Sequence, residues 1–118
     1  MKEALIAKLQ GGRPVQLSAE EQALLVEALR EAVATTLELP VAEIADGAHI
    51  FDDLGMDSID VFDVLDQLSQ RFEVPMALEE LPESFLRGEA QTTFRVFAEG
   101  LLHYFREAPA SPAPPAGS

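Results

Sequence analysis

The sequence predicts an all-α bundle of three main helices plus one short helix, with an extra helix ahead of them. Three segments carry apolar residues at helical spacing, a capping box opens the first, and a proline follows each within a few residues. At 118 residues the chain has the length of one domain around a single small core.

Residues 2–10 form a short helix with Leu5, Ile6 and Leu9 on one side, stopped by Gly11 and Gly12. A helix this short depends on docking for its order. Ser18 and Glu21 have capping-box spacing, and helix runs from there to about residue 37, with Leu25, Leu29, Ala32, Val33 and Leu37 in register. Glu20, Glu27, Arg30 and Glu31 fall largely on other faces, and Pro40 closes the segment. Residues 41–57 mix turn formers (Asp46, Gly47, Gly55) with isolated apolar residues (Ile44, Ile50, Phe51, Leu54) and sustain no period. They are expected to form a long ordered loop pinned by those apolar side chains, the exception that permits such a length without regular structure.

The next helix is expected over residues 58–72. Steps of 100° gather Val61, Phe62, Val64, Leu65, Leu68 and Phe72 into one apolar sector and Asp60, Asp63, Asp66, Gln67 and Gln70 into the other. Ile59 is the exception, projecting among carboxylates at the helix start. Pro75 ends this region, and a short helical or irregular stretch over residues 77–87 is interrupted by Pro82 and followed by Gly88. A last helix over residues 93–106 places Phe94, Phe97, Leu101, Tyr104 and Phe105 at helical spacing. Residues 107–118 are rich in Ala and Pro, offer nothing to bury, and are expected to be a disordered tail. The organisation is therefore an N-terminal extension over 1–17, one domain over 18–106 and a tail over 107–118.

Eight basic residues against 21 acidic ones give a net charge of −13, which opposes binding to nucleic acid or anionic membranes and favours basic partners. Within residues 38–89 stand 14 acidic and 2 basic residues, so nearly all of the net charge is concentrated there. With no cysteine, the chain has neither disulfides nor a thiol of its own. No apolar run reaches the length of a membrane span, and Glu3 and Lys8 interrupt what a secretory signal would need, so a cytoplasmic monomer is expected.

Ser58 opens its helix directly after Asp52-Asp53-Leu54-Gly55-Met56-Asp57 and is followed by Ile59-Asp60. Asp57 or Ser58 suits a helix cap, and Asp60 suits the positive end of the helix dipole. The same position suits a phosphate ester, because free amides and the dipole stabilise its charge.

Leu54-Gly55-Met56-Asp57-Ser58-Ile59-Asp60 resembles the phosphopantetheine attachment motif of acyl carrier proteins. The register around it agrees: an amphipathic helix ahead, Phe51 seven residues before the serine, and Phe72 fourteen after it. The resemblance implies a carrier-type bundle in which Ser58 bears 4′-phosphopantetheine, taken from coenzyme A by a phosphopantetheinyl transferase with magnesium. It implies that acyl groups ride as thioesters in fatty acid, lipid or polyketide-type biosynthesis, that the chain is a carrier and not an enzyme, and that an apolar interior shelters the cargo. Asp57, Ile59, Asp60, Asp63 and Asp66 would meet basic surfaces on acyl-activating, acyltransferase or ketosynthase-type enzymes. Exposed ion pairs are worth only about 0.2–1 kcal/mol each, so such a face favours brief docking.

Three positions depart from the pattern of fatty-acid carriers. Asp66 stands where an apolar residue is common, and Ser69 and Gln70 stand where acids are common. With the N-terminal extension, they point to a specialised carrier. A peptidyl or aminoacyl carrier shares the motif's logic, although Asp57 favours the acyl type; an acidic helical adaptor with Ser58 as a mere cap is the reading from another class. No catalytic residue and no metal site is expected. His49 and His103 have no motif tying them to Ser58, and the acidic cluster Asp52, Asp53, Asp57 and Asp60 lacks the alternation and the final Glu of a calcium loop.

Overall fold

A computed structural model describes residues 2–12, 14–74 and 92–107. In chain order these form helix α1 (Lys2–Gln10), helix α2 (Ala19–Leu37), a 3-10 turn (Val41–Glu43), helix α3 (Ser58–Phe72) and helix α4 (Phe94–Arg106). The three main helices and the extra N-terminal one appear where the apolar periodicity places them. The stretch 77–87 and the tail from residue 108 lie outside the described residues.

Local chemistry sets the helix ends. At the start of α2 the Glu21 N–H donates to Ser18 Oγ (3.2 Å) and the Ser18 N–H donates to Glu21 Oε1 (2.9 Å), so two amides without intrahelical partners are satisfied. Glu38 ends α2 in the left-handed region at φ 58°, and the Leu39 N–H folds back to the Ala34 carbonyl at 2.9 Å. Thr93 caps α4 by accepting from the Val96 N–H at 3.2 Å.

Side-chain pairs fix the helix directions. Gln67 donates to Thr36 Oγ1 (2.6 Å) and Arg71 pairs with Glu31 (2.7 Å), so partners on α2 run backwards as α3 runs forwards. The Arg30 guanidinium lies over the Phe94 ring at 4.4 Å, and the Val15 N–H donates to the Phe105 carbonyl at 2.8 Å, which sets α4 antiparallel to α2 as well. The C-terminal ends of α3 and α4 therefore meet near the start of α2. There α1 docks, with Leu5 and Leu9 at 0–1 % exposure. Burying each such leucine contributes about 1.5–3 kcal/mol toward holding a nine-residue helix that would not be stable alone.

The core is the junction of the three stripes: Leu25, Leu29 and Val33 from α2, Val61 to Phe72 from α3, and Phe94, Phe97 and Leu101 from α4. Phe62 departs from the expected apolar sector, being 45 % exposed. It sits about 100° round the helix from the centre of the stripe formed by Val61, Val64, Leu65, Leu68 and Phe72, too far for its ring to turn inward. Among the described residues, no helix is long and apolar enough to cross a membrane.

Candidate functional site

The loop ahead of α3 is fixed before Ser58 is reached. Ile44, Ile50 and Met56 are buried at 0–4 % exposure, with Phe51 and Leu54 packed partly against the core. The Met56 N–H donates to the Ile50 carbonyl at 3.0 Å, and the Asp53 and Leu54 N–H groups both donate to the His49 carbonyl. Gly55 lies at φ 79°, a conformation in which a side chain would be strained, and this turn delivers Asp57 to the helix start. On its other side the loop joins α4: Ile50 N–H to Thr92 O (3.0 Å), Phe94 N–H to Ala48 O (2.8 Å) and Arg95 N–H to Asp46 O (3.0 Å), around a lone antiparallel bridge between His49 and Thr93.

Arg30 clamps the same loop from α2. Its guanidinium donates to the Ile44 carbonyl, to Asp46 Oδ1 at 2.7 Å and to Glu27 Oε2 at 3.0 Å, while its face covers Phe94. Burial works against the charge, but Asp46 and Glu27 more than offset it, and the pKa of Arg30 lies above the ordinary arginine value. Sequence periodicity put Arg30 on a polar face and gave no signal for this role, because its loop partners lie 14 and 16 residues away.

At the start of α3 the capping task falls to Asp57. Its Oδ1 accepts from the Asp60 N–H (2.9 Å), and Asp60 Oδ2 accepts from the Asp57 N–H (3.2 Å). Ser58 is thus the first helical residue and not the cap; it is exposed, and among the described residues no hydrogen bond engages its hydroxyl. That hydroxyl is free for chemistry at the positive end of a helix, a position that suits a phosphodiester. The fit to phosphopantetheine rests on this: a reachable primary hydroxyl beside backbone amides, with capping delegated to its neighbour.

The remaining residues singled out by sequence sort by what occupies them. Ile59 is 68 % exposed, as its wheel position predicts. Asp63 and Asp66 are exposed on the same side of α3, Asp66 accepting from Gln70 Nε2 at 2.8 Å. Asp60 is half-buried and turned back to Asp57, so it is less available than the other two. Leu54 is half-buried. Sequence reasoning missed Phe62, whose exposed ring lies one turn after Ile59; its place at the edge of the apolar sector was the signal. No group of acidic or histidine side chains among the described residues could hold a metal ion.

Known proteins resemble the central part of the chain in sequence. A family model described as a phosphopantetheine attachment site matches residues 27–84. The chain is 41 % identical over 59 residues to polyketide-8 synthase acyl carrier protein 2 of Streptomyces avermitilis, covering 50 % of this chain and 68 % of that protein. It is 32 % identical over 60 residues to acyl carrier protein AcpXL of Mesorhizobium japonicum, covering 51 % of this chain and 64 % of that one. The Rhizobium etli AcpXL gives 32 % over 60 residues, with coverage of 51 % and 65 %. The matches thus span about two thirds of each relative's length. No solved structure matches the chain.

Proposed function

Because this chain belongs to the acyl carrier proteins, whose prosthetic group is a covalently attached 4′-phosphopantetheine, we propose that Ser58 is the attachment residue and that the α3 face beside it presents the cargo to enzymes. The observation that carries this is the division of labour at the start of α3: Asp57 and Asp60 satisfy the cap, leaving the Ser58 hydroxyl exposed and unengaged. Bound there, the group supplies the thiol that a chain without cysteine lacks, on which an acyl group is held as a thioester.

Ser58 is a substrate of the modifying reaction. A phosphopantetheinyl transferase removes its proton, the hydroxyl oxygen bonds to the β-phosphorus of coenzyme A, and adenosine 3′,5′-bisphosphate leaves, so the site needs no base of its own. Asp57 holds the helix start in place during that transfer. Asp63 and Asp66, with Ile59 between the carboxylates and the arm, orient basic acyl-activating, acyltransferase or ketosynthase-type partners, and the modest strength of exposed pairs keeps each encounter brief. The carrier serves a specialised pathway of fatty acid, lipid or polyketide type in the cytoplasm; the polyketide synthase in one relative's name and the departures at Asp66, Ser69 and Gln70 support the specialised reading. Residues 18–106 form the carrier domain and residues 1–17 an extension of it.

Intact mass spectrometry tests the assignment. With a promiscuous transferase and coenzyme A, the wild type should gain one phosphopantetheine and Ser58→Ala none. An unmodified wild type, or modification that survives Ser58→Ala, overturns it.

A further inference from the structure

The extra helix stands where the far end of a long cargo would arrive. From Ser58 inward, Val61, Val64, Leu65, Leu68 and Phe72 give α3 a continuous apolar stripe at 0–4 % exposure. At 1.5 Å per residue, Phe72 lies roughly 21 Å from Ser58 along the axis. At that end Gln10 Nε2 donates to the Phe72 carbonyl at 3.2 Å. Beside it a cavity of about 200 Å³ opens between α1 and the ends of α3 and α4, lined by Leu9, Val74, Tyr104 and Phe105, with Gln10 and Glu73 as its polar members.

A second cavity among the described residues suits an alkyl chain less well. A cleft of about 160 Å³ between α2 and α3 is lined by Ala32 and Leu68 but also by Glu31, Thr35, Gln67 and Arg71, and the Arg71–Glu31 ion pair is part of that lining. Covering those polar groups with methylenes would cost their hydration without replacing it.

Among the described helices α1 is the shortest, and it relies most on its neighbours. Its nine residues fall short of the ~12–15 at which an isolated helix becomes even marginal, so tertiary contacts alone hold it. Among those contacts are Leu5, Leu9 and Ile6, the Gln10 hydrogen bonds and the Lys8–Glu21 pair at 2.7 Å, whose lysine is 45 % exposed. Gly11 and Gly12 follow, with Gly12 at φ 93°, a joint about which the helix can swing.

Resting on the carrier reading, we propose that α1 is an adjustable floor to the interior, and that Leu9 with its adjoining cavity sets the longest acyl chain the protein shelters. Short chains end among Val61, Val64 and Leu65 and never reach the floor. Longer ones place their terminal carbons against Leu9, Tyr104 and Phe105, and chains that exceed the cavity must lift α1.

The test uses the full chain, modified by a transferase and loaded with hexanoyl, octanoyl, dodecanoyl or hexadecanoyl groups. Intact mass follows hydroxylamine cleavage of each thioester, and amide chemical shifts are recorded for each loaded form. In the wild type, amides of Leu9 and Tyr104 should shift with the longest chain and not with hexanoyl. Val74→Phe adds bulk to the cavity lining outside α1; it should leave hexanoyl protection unchanged and speed hexadecanoyl cleavage about tenfold, the factor given by ~1.4 kcal/mol. Unmoved Leu9 and Tyr104 amides in the hexadecanoyl form, or identical length profiles in wild type and Val74→Phe, overturn the proposal. Failure of the wild type to gain phosphopantetheine is a separate result, seen in the mass before any lengths are compared, and defeats the carrier reading itself.

Discussion

Asp57 and Asp60 hold each other's backbone: each carboxylate accepts the other residue's amide hydrogen, at 2.9 and 3.2 Å. The serine between them is left out of the exchange. Helix stability and the chemistry proposed for Ser58 are therefore assigned to different side chains, and substitution can separate them.

Asp57→Ala removes the cap while Ser58→Ala does not. The first should lower unfolding stability by about 1 kcal/mol, the usual loss for a helix cap. The second should stay within about 0.5 kcal/mol of wild type, as for an exposed residue with no bonded partner. Urea denaturation of the unmodified proteins measures both, and equal losses would contradict the division.

Removing Arg30 should loosen the loop ahead of α3. Arg30→Met leaves the Ile44 carbonyl without its donor and should cost about 1–3 kcal/mol. Arg30→Lys should recover only part of this, because one ammonium cannot reproduce a planar group that donates to Ile44, Asp46 and Glu27 while covering Phe94. Urea midpoints rank the three proteins; a lysine variant as stable as wild type would refute the role of the planar group.

Glu21 makes the docking of α1 sensitive to acid. The Lys8 hydrogen bond, then the Ser18 amide, hold its carboxyl below the ordinary value of 4.5. Because the folded pKa is the lower one, the stabilisation is complete above the unfolded value and is lost as pH falls from about 4.5 through the folded pKa. The stability difference between wild type and Glu21→Gln should be constant at neutral pH and shrink below that point. Denaturation series at several pH values check this, and a difference that grows on acidification would reverse the sign.

Phe62→Ser should leave folding intact and disturb recognition. The ring is 45 % exposed and lies one turn beyond Ile59, so its loss removes apolar contact area from the presenting face and little from the core. Stability should change by less than about 0.5 kcal/mol. The KM for a phosphopantetheinyl transferase should rise severalfold with kcat retained. An unchanged KM would place Phe62 outside the docking face.

Much of this was legible in the chain because it is local. The Ser18–Glu21 box and the buried stripe of Val61, Val64, Leu65, Leu68 and Phe72 each depend on residues a few positions apart, and each appears as the spacing predicts. Phe62 was misplaced because it was counted into the apolar sector although it stands about 100° from the centre of the stripe, where its ring is left 45 % exposed. The clamp through Arg30 was hidden because it joins α2 to Asp46 and Phe94, which only the folded chain brings together. The apolar side of α1 could be read from Leu5 and Leu9, but not its berth beside the ends of α3 and α4.

The position of α1 bears on any attempt to transplant this domain into another assembly. A graft trimmed to the family-matched residues 27–84 would sever α2 eight residues after its first, discard α4, and strip away the leucines that seal the base. A functional swap has to carry the segment from Lys2 onward, because here the piece outside the shared family pattern is also part of the foundation.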